Sequence, residues 1–291
     1  MIPRPFEYHK PRTVQEAVTL MEEYRGDAKV LAGGQSLIPL MKLRILSPVH
    51  IVDLNGVRGL EYIRRDKGVI TIGAMTRTAD IERSGLLKGE CAILSDCASH
   101  IADPLVRNLG TIGGNVSHAD PTNDMPAVMV ACGAELVVAG PGGRRKVAAS
   151  DFFRDTFVTA MAESEILTEL RIPVAGRRAG AYSKLERQAG DLAIAGVAAS
   201  LLLYADGRCE ECGMGLTGVG PAVIRARRSE EVVVGSRVDS GTVAEAARLA
   251  AEDSSPTSDL RGSEEYKREM VKVMSKRALS LALKRAKSRS R

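Results

Sequence analysis

Apolar positions in the first part of the chain follow a helical period and then a strand-like one. After Thr13 they recur every three or four residues, which predicts an amphipathic helix. Thr13 and Glu16 have the spacing of a capping box, so we expect this helix to begin directly after Thr13. Two short apolar runs, residues 28–32 and 50–54, predict buried strands. The pattern therefore predicts a small α/β lobe over about residues 1–55.

Residues 56–176 combine helical periods with alternating, strand-like segments. Glycine and proline at residues 140–143 separate two such segments, which is typical of a β-hairpin. The predicted strands are residues 69–74, 135–139, 146–148 and 166–172, and the predicted helices are residues 78–83, 90–101 and 125–132. Because strands joined by a hairpin run antiparallel, we expect a second lobe that contains an antiparallel sheet.

The pattern changes after residue 176 to strands followed by long helices. Residues 176–180, with two arginines between two glycines, are the candidate domain boundary. The predicted strands are residues 182–187, 193–204 and 211–216, and the predicted helices are residues 242–253 and 263–287. The chain is thus predicted to be of the α+β class, with a small sheet-plus-helices domain over residues 177–291.

Composition narrows the class of protein. The 291 residues are 44% hydrophobic and 26% charged, as in globular proteins, and no apolar run is long enough for a transmembrane helix. The N-terminal residues have no apolar signal core, and five irregularly spaced cysteines argue against a disulfide framework. We therefore expect a cytoplasmic protein.

The net charge of +5 arises largely from cations at the end of the chain. These cations are Lys284, Arg285, Lys287, Arg289 and Arg291. The simplest interpretation is a solvated helix end whose positive charges complement the helix dipole. Nucleic-acid binding would require aromatic side chains among the cations, and aromatic residues are only 3% of the chain.

Two glycine pairs lie about eighty residues apart in the chain. The first is in AGGQS, residues 32–36, directly after a predicted strand, and the second is in GTIGGNVSHADPTND, residues 110–124. A glycine pair indicates either a tight turn or a close approach of the backbone to a ligand. Since both pairs are followed by Asn or Gln and lie near Ser or Thr, we expect them to face one extended ligand.

AGGQS and TIGGN, residues 111–115, resemble the two FAD loops of the flavin-binding medium subunits of molybdenum hydroxylases, the xanthine dehydrogenase family. The resemblance is strongest to subunits of the carbon monoxide dehydrogenase type, and it covers essentially the whole chain. It implies a PCMH-type FAD-binding domain of two lobes over residues 1–176, followed by the family's small C-terminal domain.

The resemblance also implies a set of residues that bind FAD non-covalently. The set is Leu31, Ala32, Gly33, Gly34, Gln35, Ser36, Ile38, Ile101, Thr111, Gly113, Gly114, Asn115, Asp124, Leu167 and Lys184. In it the glycine segments hold the pyrophosphate, Ile101 lies beside the adenine, Asp124 contacts a hydroxyl, and Leu167 and Lys184 lie near the flavin ring. Neither glycine segment contains Lys or Arg, so we expect backbone N–H groups of both to hold the pyrophosphate, with Arg107 the nearest cation.

This chain differs from the family pattern at two positions. Gln35 stands where the family often has His, and Leu192, after Asp191, stands where it often has an aromatic residue. The second difference leaves open what shields the flavin ring.

The chain shows no ligands for molybdenum or for an iron–sulfur cluster. The resemblance therefore implies two partners, a small [2Fe-2S] subunit and a large molybdenum-cofactor subunit, assembled as a dimer of heterotrimers. Electrons would pass from molybdenum through the clusters to FAD and then to an external acceptor, and no residue of this chain would act on the substrate. Carbon monoxide, an aldehyde and an N-heterocycle all remain open as substrates. A stand-alone FAD reductase or oxidase and a nucleotide-binding regulatory module are the alternative functions.

Two further motifs invite a functional interpretation that their context does not support. Residues 213–218 match G-x-G-x-x-G, but no strands are predicted after Asp239 to complete a dinucleotide-binding sheet. Cys209 and Cys212 form a lone C-x-x-C without a second ligand pair, and on a strand their thiols would point to opposite faces. We expect neither a dinucleotide fold nor a metal site here.

Three polar residues of the second glycine segment leave alternatives open. His118 either approaches the ligand or is a surface loop residue. Asp120 and Asp124 are two carboxylates close in sequence, as an acid–base pair would need. Asp124 also has the position of a helix cap before Met125. The resemblance favours a cofactor contact for Asp124.

Overall fold

The architecture follows from a computed structural model that describes residues 2–174, 176 and 178–288. Arg177, the first residue of the predicted C-terminal domain, lies outside the described residues, as do the terminal cations Arg289 and Arg291.

The N-terminal lobe is a parallel sheet with one face covered by a helix. Its elements are β1 (Glu7–His9), α1 (Val14–Glu23), β2 (Ala28–Leu31), α2 (Leu37–Lys42), β3 (His50–Asp53) and a 3₁₀ turn at Leu54–Gly56. The strand order is β1-β3-β2, and both pairs are parallel. Thr13 caps α1 by accepting a hydrogen bond from the Glu16 N–H at 3.1 Å, as predicted. The Glu16 carboxylate accepts from the Arg12 N–H at 2.8 Å instead of completing the box at Thr13.

The second lobe contains an antiparallel sheet in the order β4-β5-β10-β6-β7, with helices on one side. Its strands are β4 (Ile63–Asp66), β5 (Val69–Gly73), β6 (Glu135–Gly140), β7 (Gly143–Ala148), β8 (Phe153–Asp155), β9 (Val158–Thr159) and β10 (Ile166–Pro173). Its helices are α3 (Thr78–Arg83), α4 (Gly85–Glu90), α5 (Ala92–Ser99), α6 (Pro104–Leu109), α7 (Ile112–His118), α8 (Asp124–Ala131) and α9 (Ala149–Phe152).

Two predictions in this lobe were wrong. Residues 90–101 do not form one helix, because the backbone leaves the helical region at Cys91 and separates α4 from α5. The glycine pair of the second segment lies inside helix α7, although its glycines favour a turn. Thr111 supplies the reason, since its hydroxyl caps α7 by accepting from the Gly114 N–H at 3.1 Å.

The C-terminal region is an antiparallel sheet in the order β11-β12-β13-β14 that packs against long helices. Its elements are β11 (Ala179–Leu185), β12 (Ala195–Leu203), β13 (Cys209–Thr217), β14 (Ile224–Arg225), α10 (Arg227–Val233), α11 (Ser240–Asp253) and α12 (Glu264–Ser288). The predicted α+β class is confirmed. Among the described residues no helix is long and apolar enough to cross a membrane.

Arg285 joins the C-terminal helix to the second lobe. Its guanidinium donates to both carboxylate oxygens of Asp96 on α5, and it donates to the Gly180 carbonyl at 2.8 Å. The prediction of a solvated helix end was therefore wrong for Arg285, because a tertiary ion pair takes up this charge.

Close packing explains the G-x-G-x-x-G match without a nucleotide. A Cβ on Gly213 would lie 2.9 Å from the Ala131 carbonyl carbon, and one on Gly215 would lie 2.9 Å from the Ala127 Cα. Both glycines lie within β13 and allow α8 to pack directly on the strand. The motif lies almost wholly within a strand and does not open a helix, which is not the context of a dinucleotide-binding turn.

The thiols of Cys209 and Cys212 are both buried in the same hydrophobic cluster. A β-bulge at Glu210 shifts the register between β12 and β13, so the alternation of side chains is interrupted there. The prediction of opposite faces was therefore wrong. Burial raises the pKa of both thiols, that of Cys209 to about 11, which keeps them protonated.

Candidate functional site

The two glycine segments, which we expect to face one ligand, lie in direct contact with each other. A Cβ on Gly33 would overlap the Leu109 carbonyl and lie 2.7 Å from the Gly110 Cα. A Cβ on Gly114 would lie 3.8 Å from the Ala32 Cβ. The connection after β2 in the first lobe thus packs on the connection between α6 and α7 in the second lobe, and the site lies where the lobes meet.

The first segment presents consecutive backbone donors. None of the N–H groups of residues 33–36 donates a hydrogen bond to any group in the described part of the chain. Gly34 has φ +73°, a left-handed conformation that glycine adopts without strain, and the Gln35 side chain fixes the turn by donating to the Gly33 carbonyl at 3.0 Å. Successive unpaired N–H groups in such a turn form an anion-binding nest.

Four consecutive backbone N–H groups of the second segment, those of residues 112–115, donate to other groups of the protein. The Ile112 N–H donates to the Thr76 carbonyl at 3.0 Å, and the Gly113 N–H donates to the Ala74 carbonyl at 2.8 Å. The Gly114 and Asn115 N–H groups both donate to Thr111, to its hydroxyl and its carbonyl respectively. The Thr111 N–H donates no hydrogen bond in the described part of the chain, so the second segment offers fewer free backbone donors than the first.

Asn115 gives the second segment its polar group for a ligand. Its Oδ1 is buried and has no hydrogen-bond partner among the described residues. Its carbonyl accepts from the Asn123 side chain at 2.9 Å, which ties the middle of α7 to the residue before α8. An unpaired buried amide oxygen is costly unless a ligand donor or water reaches it, so Asn115 marks a contact point.

Asn55 and Arg77 connect the two segments, although neither residue stands out in the sequence. The Asn55 side chain donates to the Ala32 carbonyl at 2.9 Å and accepts from Arg77 at 2.8 Å. Arg77 also donates to the Leu109 carbonyl at 2.6 Å. No spacing in the sequence points to this bridge, because it joins positions from three separate parts of the chain.

Arg107 is not the nearest available cation, contrary to the sequence argument. Its guanidinium pairs with Glu82 at 2.9 Å and donates to the carbonyls of Ile101 and Ala102 at 3.1 and 2.8 Å. Arg107 therefore fixes the turn after α5, and the cation that serves the glycine segments is Arg77.

Asp124 and Lys184 form a buried ion pair between α8 and β11. Asp124 is 5% exposed, and its carboxylate accepts from the Tyr182 hydroxyl and from the Lys184 ammonium, the latter at 3.2 Å. Lys184 also donates to the His100 carbonyl at 2.9 Å. Burial raises the pKa of Asp124, and the Lys184 charge opposes that change. The helix-cap interpretation of Asp124 was wrong, because Asn123 is the residue before α8.

The remaining predicted residues lie at different depths. Leu167 on β10 belongs to the core of the second lobe, and Ile101 packs against that core from the end of α5. Ile38 on α2 and Leu192 are about 40% exposed, at 39% and 40%. Asp120 accepts from the Thr122 N–H at 2.8 Å and is thus part of a turn, which does not favour an acid–base role. His118 ends α7, half-buried, with its ring centroid 5.0 Å from that of Phe157.

The site combines a glycine turn, which forms an anion nest after a strand, with an unpaired amide oxygen from the adjoining lobe. This combination is typical of proteins that bind a phosphate-containing cofactor. A family model described as "FAD binding domain in molybdopterin dehydrogenase" matches residues 4–175. A second, described as "CO dehydrogenase flavoprotein C-terminal domain", matches residues 180–282. The chain therefore belongs to the family of FAD-binding flavoproteins of the molybdopterin dehydrogenases, and its cofactor is FAD.

Similarity to individual proteins covers nearly the full length of the chain. The chain is 41% identical to a carbon monoxide dehydrogenase medium chain from Hydrogenophaga pseudoflava, over 97% of this chain and 98% of the relative. It is 37% identical to a glyceraldehyde dehydrogenase medium chain from Sulfolobus acidocaldarius, over 96% and 98% of the two chains. A solved structure of the Hydrogenophaga carbon monoxide dehydrogenase matches with a TM-score of 0.95 and 42% identity, over 98% of this chain and 99% of that one.

Proposed function

We propose that this chain is the FAD-binding electron-transfer subunit of a molybdenum hydroxylase complex of the carbon monoxide dehydrogenase type. The observation that supports the proposal most directly is the row of unpaired N–H groups at residues 33–36. They lie beside a second segment that carries the unpaired Oδ1 of Asn115. The pyrophosphate of FAD carries negative charge and needs such fixed donors, since the glycine segments themselves contain no cation.

Each part of the site has a proposed role in holding FAD. Bound FAD supplies one- and two-electron redox chemistry, which the protein orients and tunes. The first segment holds the pyrophosphate, and Asn115 accepts a hydrogen bond from the cofactor. Ile101 supports the adenine, and Asp124 lies near a hydroxyl. Lys184, held by three oxygen partners, places a fixed positive charge on the flavin side together with the apolar Leu167. The remaining contacts in the proposal are those of Leu31, Ala32, Ile38 and Thr111.

The proposed assembly has two partners, a small [2Fe-2S] subunit and a large molybdenum-cofactor subunit, in a dimer of heterotrimers located in the cytoplasm. All five cysteines of this chain are buried, which makes them poor cluster ligands. We further propose that residues 1–176 form the FAD-binding domain and residues 177–291 the C-terminal domain.

The relatives indicate that this chain does not determine the substrate. Similar medium chains or subunits belong to dehydrogenases named for carbon monoxide, glyceraldehyde and 6-hydroxypseudooxynicotine. One FAD-binding subunit type therefore serves different oxidations, and the substrate is recognised elsewhere in the complex.

The proposal is tested with the purified chain and an artificial dye as electron acceptor. We expect a flavin spectrum and no oxidation of carbon monoxide, aldehydes or purines by the chain alone. Robust turnover without a partner would favour a stand-alone reductase or oxidase. A chain that binds no flavin would favour the regulatory module.

A further inference from the structure

Three side chains that play no part in the flavin site lie together on the N-terminal sheet. Glu7 and His9 are two residues apart on β1, so both point to the same face of the sheet. The parallel register pairs Glu7 with His50 on β3, which places the His50 side chain on that face too. The topology of the lobe therefore brings a carboxylate and two imidazoles to one point.

The distances among the three groups are those of metal ligands. His9 Nε2 lies 3.1 Å from His50 Nδ1, and His50 Nδ1 lies 3.6 Å from a carboxylate oxygen of Glu7. All three ligand atoms lie within 4.8 Å of one another. Zinc bonds of about 2.0–2.1 Å in a tetrahedron place neighbouring ligand atoms roughly 3.3–3.4 Å apart. The cluster needs only small side-chain rotations to reach that geometry.

The surroundings hold the imidazoles in place and favour a cation. The Tyr24 ring stacks on His50 with centroids 3.8 Å apart and lies 5.1 Å from the His9 ring. Tyr24 directly follows α1, so the cluster lies by the helix C-terminus, where the dipole is negative. His50 is only 13% exposed, whereas Glu7 is 70% exposed, so the cluster is fixed on one side and open to water on the other.

We propose that Glu7, His9 and His50 bind one Zn²⁺ ion, with water as the fourth ligand. Two imidazoles and a carboxylate are a ligand set that zinc takes with an open position. The ion would tie the edge strand β1 to the central strand β3 and so stabilise the start of the N-terminal lobe. The site is separate from the glycine segments, and the proposal does not depend on the flavin function.

The test is titration of the chelator-treated full chain with Zn²⁺, followed by calorimetry and thermal unfolding. We expect one zinc per chain and a rise in the unfolding temperature. His50→Gln and His9→Gln are each expected to weaken binding at least tenfold, and Glu7→Gln less than either. Glu61→Gln removes an exposed carboxylate outside the cluster and is the matched control, so it should bind zinc as the unchanged chain does.

Co²⁺ as a spectroscopic probe separates this cluster from the cysteines. Ligation by imidazole and carboxylate gives tetrahedral visible bands without the thiolate charge-transfer band of a cysteine site. The proposal is overturned if no zinc binds, if the cobalt spectrum shows thiolate ligation, or if Glu7→Gln and His9→Gln both bind zinc unchanged. Each of these results would mean that His9 and His50 are joined by a hydrogen bond and do not bind a metal ion. Because Glu7 is exposed, its variant keeps the test informative even if His50→Gln fails to fold.

Discussion

At the scale of single residues, the anion nest depends on the backbone of Gly34. Its φ of +73° turns consecutive N–H groups to one side, and the Cβ position lies 2.7 Å from the Ile38 Cδ1. A side chain at this position therefore meets both backbone strain and a neighbour. The two segments therefore offer a ligand different groups. Residues 33–36 offer backbone N–H donors, and Asn115 offers its side-chain oxygen as an acceptor.

Gly34→Ala is expected to weaken FAD binding about tenfold or more. A left-handed backbone costs an alanine roughly 1–2 kcal/mol, and about 1.4 kcal/mol corresponds to a factor of ten in affinity. The measurement is FAD titration of the apo chain. Gly26→Ala is the matched control, because Gly26 has φ +88° with open space around its Cβ position. Equal losses of affinity in the two variants would contradict the nest account.

Arg77→Ala is expected to lower FAD affinity about tenfold, because the bridge through Asn55 between the two segments is lost. Hydrogen bonds to charged groups are worth about 1.5–3 kcal/mol, part of which water restores at a half-exposed site. Arg77→Lys keeps the charge but not the paired donors, so it should restore little. Arg58→Ala removes an exposed cation outside the bridge and serves as control. If Arg77→Lys binds FAD normally, the positive charge at residue 77 supports FAD binding and the paired guanidinium donors do not.

His118 gives the chain a predicted acid sensitivity. Burial lowers its pKa below the ordinary value of 6.5, with Asp120 opposing. The unfolded chain therefore binds the proton more readily, and the stability from neutral His118 is present above pH 6.5 and lost as the pH falls through the folded pKa. In urea unfolding at several pH values, His118→Gln should flatten the loss of stability as the pH falls below 6.5. An unchanged slope would show that other groups cause the acid sensitivity.

At the scale of elements, tertiary packing decides which secondary structure forms at a glycine. Helix α7 contains Gly113 and Gly114, and each glycine disfavours a helix by about 1 kcal/mol. The Thr111 cap and the contact of Gly113 with Ala74 overcome that preference. Local sequence therefore predicted turns where a helix forms, because neither the cap nor the contact is visible in residue spacing alone. Strand β13 was predicted well, since its apolar pattern agrees with its tertiary surroundings.

Gly215→Ala tests the contact between α8 and β13. The added Cβ would overlap the Ala127 carbonyl, and overpacking of this kind costs about 1–3 kcal/mol. Urea unfolding should show a loss of that size. Gly142→Ala is the control, because Gly142 has open space around it in the β6–β7 turn. A Gly215→Ala chain as stable as the control would mean that the strand and helix separate at little cost.

At the scale of the whole molecule, the fold class and most of the strands follow from the sequence pattern. The contacts that assemble these units do not, because ion pairs such as Asp96 with Arg285 join residues far apart in the chain. The same applies to the site, where the glycine segments were predicted but the Asn55–Arg77 bridge was not. Sequence periodicity reports on burial within an element, whereas long-range polar pairing depends on the finished fold.

Isothermal titration of the apo chain with FAD, at low and at high salt, tests the central claim most directly. The account predicts one FAD per chain and an affinity that falls only gently with salt, because the fixed N–H dipoles at residues 33–36 lie close to the ligand and are poorly screened. Acid precipitation of the complex should then release all of the flavin. Failure to bind FAD, a steep loss of affinity with salt, or flavin that stays with the precipitate would contradict the account.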